Sequence, residues 1–138
     1  MSRTVVHRVL VQFGDCDPAG IVFFPNFLRW MDASSLNFFR ACGVPPWREL
    51  THSRGIVGTP VLEIGTRFMQ SATYGETLEI HTSVEEWRNK TFRHRHVVKR
   101  GDDVLCEGTE VRAFVARDEA GGRLRAMTIP EDIRALCR

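Results

Sequence analysis

Between Pro25 and Cys42 the chain carries one long stretch with apolar or small residues at Leu28, Met31, Ser35, Phe38, Phe39 and Cys42, the spacing of a single helical face. Pro25 suits the first helical position, because its fixed φ matches the helix and its missing N–H had no intrahelical partner to lose. Gly43 then supplies a C-terminal cap, and Pro45-Pro46 forbid continuation. This is the only long helix the sequence predicts, so its stripe must be covered by something else. The remainder is strand-like: Val5–Phe13, Val61–Gln70, Thr77–Arg88, Thr91–Lys99, Val104–Arg117 and Arg123–Ile129, separated by turn residues such as Gly75, Asn89, Gly101-Asp102-Asp103 and Gly121-Gly122. A loop with Trp47 and Gly55 joins the helix to these strands, and Pro130–Cys137 reads as a short helix with Pro130 at its first position. Short connections predict antiparallel neighbours. The expected fold is α+β, with an antiparallel sheet curling around one long central helix and burying its stripe. Such a sheet keeps exposed edges, so pairing with at least one more copy is expected.

At 138 residues the chain predicts one domain, 1–138, without an internal linker. A formal charge of +2 names no partner. Cys16, Cys42, Cys106 and Cys137 stand far apart with no CxxC pair, which fits a reducing compartment and excludes zinc-finger spacing. The first residues alternate apolar and polar and lack the continuous apolar run of a leader or a membrane span, so a cytoplasmic protein without membrane attachment is expected. His94 and His96 share a strand face, and without a third ligand at a suggestive spacing they predict strand packing or surface placement; no metal is expected.

The chemistry concentrates in FGDCDPAGIVFFPN, Phe13 to Asn26, an acidic turn running straight into the helix. Phe24, ahead of the helix, has no side-chain oxygen to cap the unpaired first-turn N–H groups, so these donors stay available beside Asp17. A carboxylate next to partly positive N–H groups suits acyl transfer, because it can act at a carbonyl whose oxygen the helix end polarises. Taken alone, Asp17 in Asp-Pro reads more readily as a turn or capping residue. Asp15 reads as a loop organiser that accepts backbone N–H bonds, and Cys16 as a buried small residue, since two flanking carboxylates discourage a thiolate. Gly20 carries two readings, a turn glycine with positive φ or a place where an acyl carbonyl approaches the backbone.

The acidic turn and helix start, with CGVPPWR at Cys42–Arg48, RGIVGTP at Arg54–Pro60 and EWRNKTF at Glu86–Phe92, resemble the Asp-dependent hydroxybenzoyl-CoA thioesterases over nearly the whole chain. The resemblance implies a hotdog fold, a dimer of dimers with active sites at subunit interfaces, and hydrolysis of an aromatic acyl-CoA. It implies no metal and no cofactor, coenzyme A being part of the substrate. It makes Asp17 the catalytic carboxylate, as nucleophile or as base for water, and the N–H of Phe24 the donor to the thioester oxygen. It places Phe23, Asp32, Trp47, Gly58 and Thr59 around the acyl group, with Asp32 at the ring substituent and Trp47 as an aromatic wall. Asp32 also reads as a solvated helix acid, and Trp47 as a core residue closing the helix end. Arg88, Lys90, Thr91, Arg123 and Arg125 hold the phosphates of coenzyme A in this reading, and ordinary solvated turns in the other. Where close relatives carry Trp-Tyr and Tyr, this chain has Phe23-Phe24 and Phe27.

Competing readings are a short-chain aliphatic thioesterase and a non-catalytic acyl-CoA-binding module of the same fold. An aspartyl-phosphate phosphatase would need a doubly wound sheet and βα alternation that this sequence lacks. Nucleic-acid binding through Arg88, Lys90, Arg93, Arg95, Lys99 and Arg100 is not expected, because strand alternation divides them between two faces.

Overall fold

The computed structural model describes residues 3–118 and 121–138; the expected domain extent, 1–138, includes four residues outside these. Helix α1 spans Pro25–Ala41, as the proline and the apolar stripe predict, and buries Phe27, Met31, Ser35, Phe38 and Phe39. Gly43, at φ +88°, ends it: its N–H donates to the Arg40 carbonyl at 3.0 Å, and that of Val44 to the Phe39 carbonyl at 3.0 Å.

Strands β1 (Thr4–Leu10), β3 (Val61–Phe68), β4 (Thr77–Trp87), β5 (Thr91–Arg100) and β6 (Asp103–Ala113) form an antiparallel sheet in the order β1-β4-β5-β6-β3. Neighbours therefore do not simply follow the chain. The short link from β3 to β4 does not make a hairpin: β3 pairs with β6 and β4 with β1. A smaller sheet joins β2 (Ile56–Gly58), β7 (Val115–Arg117) and β8 (Leu124–Ala126) in the order β2-β7-β8.

Four expectations need correction. The segment after Pro46 is not a loop but helix α2, Trp47–Arg54. Its signals were present: Pro46 before it, Glu49 in the first turn, Arg54 in the last, and Gly55 at φ +73° as a left-handed cap. The single strand expected over 104–117 is broken at Phe114, whose N–H donates to the Lys90 carbonyl at 3.0 Å and whose carbonyl accepts from Met127 N–H at 2.8 Å. Those bonds leave the large sheet's ladder and start the small one. The last strand covers only Leu124–Ala126, and Pro130 caps α3 (Glu131–Leu136) instead of lying within it.

The core has two parts, divided along α1. Phe27 and Met31, in its N-terminal half, pack with Leu78, Ile80, Val98, Leu105 and Cys106. Phe38 and Phe39, in its C-terminal half, pack with Leu50, Ile56, Phe92, Phe114 and Ile133. The helix lies close on the sheet: a Cβ at Gly108 would stand 3.1 Å from the Met31 sulfur and 3.2 Å from the Gly65 carbonyl oxygen, so glycine on β6 eases the close approach. Among the described residues no helix is long and apolar enough to cross a membrane.

Candidate active site

The acidic turn is a tightly bonded loop at the N-terminal end of α1. Asp17 N–H donates to the Ile21 carbonyl at 2.8 Å and Gly20 N–H to the Asp17 carbonyl at 2.9 Å, with Gly20 at φ +83°. This is the turn-glycine role. The Asp17 carboxylate, half-buried, uses Oδ1 to accept Ala19 N–H at 2.9 Å, and Oδ2 has no protein partner among the described residues. Asp15 organises the loop as expected: its carboxylate accepts Gln12 N–H at 2.8 Å, while its carbonyl accepts Phe23 N–H at 2.9 Å and Asn26 Nδ2 at 2.8 Å. Buried Asn26 thus pins the turn to the helix start, a role that sequence reasoning missed. Cys16 is half-buried, not fully buried, and packs against the N-terminal core.

At the helix start, Asn26 N–H turns back to the Phe23 carbonyl at 2.9 Å and Phe27 N–H to the Phe24 carbonyl at 3.1 Å, while Pro25 has no N–H to offer. The Phe24 N–H has no acceptor among the described residues, so one donor at the positive end of α1 is left open. The side chains of Phe23 and Phe24 are exposed, 51% and 58%, and stack edge to face.

Farther along α1, a cavity of about 330 Å³ is lined by Asp32, Ala33, Leu36, Trp47, Thr59 and Arg112. The structure therefore gathers the predicted Asp32, Trp47 and Thr59 in one place. Trp47, the first residue of α2, packs on Phe39 at 5.3 Å and Phe114 at 5.9 Å between ring centroids, so it serves core and cavity together. Gly58 ends β2 just before Thr59.

Behind the cavity runs a polar network that the sequence reading left unassembled. Arg112 donates from Nη1 to the Thr59 carbonyl at 2.8 Å and from Nη2 to Asp32 Oδ1 and Glu110 Oε2, each at 2.8 Å. Glu110 Oε1 meets His96 Nε2 at 2.5 Å, and His96 Nδ1 meets Thr82 Oγ1 at 2.8 Å. Burial works against the Glu110 charge, yet the hydrogen bonds from His96 and Arg112 outweigh it and hold the carboxyl down at about 2. The signal for this network was two charged residues, Glu110 and Arg112, at inward positions of an alternating strand. His94, His96 and Glu110 have candidate ligand atoms within 4.8 Å of one another. The binding atoms of His96 and Glu110 are already engaged, and the adjacent guanidinium opposes a cation there.

The basic turns lie near the other end of α1. Asn89 carbonyl accepts Ile129 N–H at 2.8 Å, and Arg125 sits on β8 opposite Ala116, so the turn carrying Arg88, Lys90 and Thr91 neighbours the strand that follows Arg123. Arg88 pairs with Glu86 at 2.8 Å and Arg125 with Asp118 at 3.5 Å; Arg88, Lys90, Arg123 and Arg125 are exposed. Trp87 and Phe92, which flank the turn, belong to the C-terminal core, whereas Cys16, next to Asp17, packs against the N-terminal core.

Residues 11–136 match the family described as the thioesterase-like superfamily. The chain belongs to this superfamily. It is 46% identical to a 4-hydroxybenzoyl-CoA thioesterase of Pseudomonas sp. (strain CBS-3), over 99% of each chain. Its structure is similar to a crystal structure of a 4-hydroxybenzoyl-CoA thioesterase, the D17N mutant complexed with 4-hydroxybenzoyl-CoA, with a TM-score of 0.93 and 43% identity, covering 99% of this chain and 100% of that one. A gentisyl-coenzyme A thioesterase structure follows at a TM-score of 0.84 and 30% identity, covering 97% and 100%. The resemblance carried by the acidic turn, PPW and GIVGTP segments is thereby borne out, as is the thioester-hydrolase class. The superfamily's hotdog architecture accounts for an antiparallel sheet with one long helix packed on it.

Proposed function

We propose that this thioesterase hydrolyses an aromatic acyl-CoA of the benzoyl or hydroxybenzoyl type to the free acid and coenzyme A. The observation that carries the reading is that one hydrogen-bonded turn leading into α1 carries both a carboxylate oxygen of Asp17 and an N–H of Phe24 without a partner among the described residues. The thioester oxygen takes the Phe24 N–H, where the helix end favours the charge that develops on it. Asp17 attacks the carbonyl, breaking the C–S bond and expelling the coenzyme A thiolate to give a mixed anhydride that water then hydrolyses, or it takes a proton from a water that attacks with the same thiolate as leaving group; Gly20 keeps the turn compact beside it. The relatives support the aromatic acyl group, and the substrate complex described for one of them was of its D17N mutant; aspartate stands at position 17 here too. Phe23, Trp47, Gly58 and Thr59 border the acyl group in this reading, and Asp32 meets the ring substituent.

The reading includes a second copy of the chain. From Phe24 to Asp32 the helix advances about 12 Å at 1.5 Å per residue, too far for one benzoyl group to span, so the carboxylate and the ring cavity that serve one substrate come from two copies. Strand β3 is an unpaired edge on the β6 far side and exposes Val61, Leu62, Ile64 and Phe68, which suits edge-to-edge pairing. We place a dimer there, with a dimer of dimers as the expected assembly. The sheet's enclosure of α1, a cytoplasmic location for the unpaired cysteines, and the lack of any cofactor belong to the same reading.

Benzoyl-CoA or hydroxybenzoyl-CoA should release free thiol, followed with an Ellman-type reagent, and EDTA should leave the rate unchanged because neither step calls for a metal. Faster turnover of short straight-chain acyl-CoAs than of every aromatic one would overturn the substrate class. Thioester binding without hydrolysis would favour the binding module.

Arg88, Lys90, Arg123 and Arg125, with the Thr91 hydroxyl, serve the nucleotide end of coenzyme A, since exposed cations at turns suit phosphates left partly in solvent. Alanine at these four basic positions should raise KM with little change in kcat, the signature of uniform binding, and salt should mimic the effect. A fall in kcat at constant KM would show that they do something else.

A further inference from the structure

The acidic turn is closed by its own hydrogen bonds, but those bonds do not set where it stands on the molecule. The Asp17 N–H meets the Ile21 carbonyl and the Gly20 N–H the Asp17 carbonyl, so Asp17 and Gly20 move as one unit. On the side where a Cβ would point, Gly20 meets no atom within 4 Å, so packing there does not steady it. The link between β3 and β4 does. Ala72, buried in the N-terminal core, accepts Val22 N–H on its carbonyl at 2.9 Å. Its half-buried neighbour Thr73 donates its hydroxyl to the Gly20 carbonyl at 2.7 Å. A carbonyl only accepts, so the direction of this bond is fixed. Gly20 and Thr73 lie 53 residues apart in sequence, and the bond is therefore tertiary, not part of a local turn.

Thr73 is itself braced. Its N–H donates to Glu76 Oε1 at 2.7 Å. Arg100, the last residue of β5, donates from Nη1 to Glu76 Oε2 at 2.9 Å, to Oε1 at 3.2 Å and to the Ser71 carbonyl at 3.2 Å. The backbone of the link is tied to the residue after β1: Val11 N–H donates to the Glu76 carbonyl and Gly75 N–H to the Val11 carbonyl, each at 2.9 Å. The hydroxyl thus reaches Gly20 from a platform held by β5 on one side and by the end of β1 on the other.

We infer that Thr73 is a positioning residue for Asp17: its hydroxyl, braced by Glu76 and Arg100, sets where the acidic turn and its carboxylate stand against a bound thioester. The inference rests on the reading of Asp17 as the reacting carboxylate. Thr73 itself touches no substrate. Reaction rate is sensitive to such placement, since a shift of about 1 Å in a reacting group can cost on the order of 10²-fold.

The test measures kcat and KM for 4-hydroxybenzoyl-CoA with Thr73→Val and Thr73→Ser, each made in the wild-type protein and in Asp17→Asn. Valine keeps the shape and loses the hydroxyl, so in the wild-type background kcat should fall by about tenfold or more with KM moved by less than about threefold. Serine keeps the hydroxyl and should recover most of that loss. In the Asp17→Asn background the valine change should lower the residual rate by less than about twofold, because the group that Thr73 places is already gone. Losses of similar size in both backgrounds would leave Thr73 a merely structural role and overturn the assignment, and so would an unchanged kcat for Thr73→Val. Should the valine variant fail to fold, Thr73→Ala removes the hydroxyl without adding a methyl group and is read in the same two backgrounds. If Asp17→Asn alone stays within about threefold of wild type, or wild type hydrolyses no thioester, the underlying reading fails and takes this inference with it.

Discussion

Asp17→Asn should lower kcat by about 10²–10⁴-fold or more, the loss typical of removing one acid–base or nucleophilic group. That range corresponds to roughly 2.7–5.5 kcal/mol of transition-state free energy. The substitution keeps the side chain's size and leaves Oδ1 able to accept Ala19 N–H, so the turn should persist and substrate should still bind. Phe24→Ala should cost far less, because the backbone N–H proposed to meet the thioester oxygen is untouched; Asp15→Asn should act through loop stability, since that carboxylate accepts Gln12 N–H. Initial rates with hydroxybenzoyl-CoA, alongside a thermal melt, decide the matter. An Asp17→Asn protein turning over within about threefold of wild type, well under 1 kcal/mol, removes the mechanism.

The same variant tests the shared site. If Asp17 of one copy works with the Asp32 of another, a mixed dimer of Asp17→Asn and Asp32→Ala chains holds one doubly damaged site and one intact site. Co-expression should then recover about a quarter of wild-type activity by random pairing, well above either parent. No recovery would place both groups in one chain's own site.

How much of this could be read from the residues depended on whether the signal was local. Helix α1 was legible because its proline, its stripe and its glycine cap all lie within one segment. The acidic turn was legible for the same reason, including Asp15 as the organiser and Gly20 as the turn glycine. Helix α2 was missed although its Pro46 and Gly55 boundaries were visible, because only Leu50 of its eight residues is buried and so no apolar period marks it. Sheet order was out of reach: β3 joins β6 across two intervening strands, and nothing in a short link between β3 and β4 says that they part. The Arg112 network needed that order, because Asp32, Thr59, Thr82 and Arg112 come from four separate segments. His94 and His96 were expected to pack on a strand or lie at the surface, for want of a third ligand in the sequence; both are buried on β5, and their third neighbour, Glu110, became visible only once β5 and β6 were paired.

Acid should weaken this fold in two successive windows, and His94→Leu should remove the first. His94 is fully buried among Phe38, Phe39 and Phe92, at 5.0, 5.6 and 4.9 Å between ring centroids, and neither ring nitrogen has a partner among the described residues. Burial, reinforced by nearby His96 and Arg112 and only partly offset by Glu110, pushes its titration well below the ordinary 6.5. The unfolded chain therefore takes up a proton at this residue before the folded one does, so stability is complete above about pH 6.5 and declines below it by about 1.4 kcal/mol per pH unit. Glu110 acts in the lower window: its carboxyl is held down from 4.5 to about 2, so the stability it adds is present above 4.5 and is lost as pH falls towards 2. Leucine at position 94 leaves no group to protonate and no unpaired ring nitrogens, and leaves the lower window intact. Urea midpoints between pH 7.5 and 5 should slope for wild type and flatten for His94→Leu, with similar or higher stability for the variant at pH 7.5. Identical slopes in the two proteins would show that His94 is not the group that loses its place in the fold as the solution turns acid.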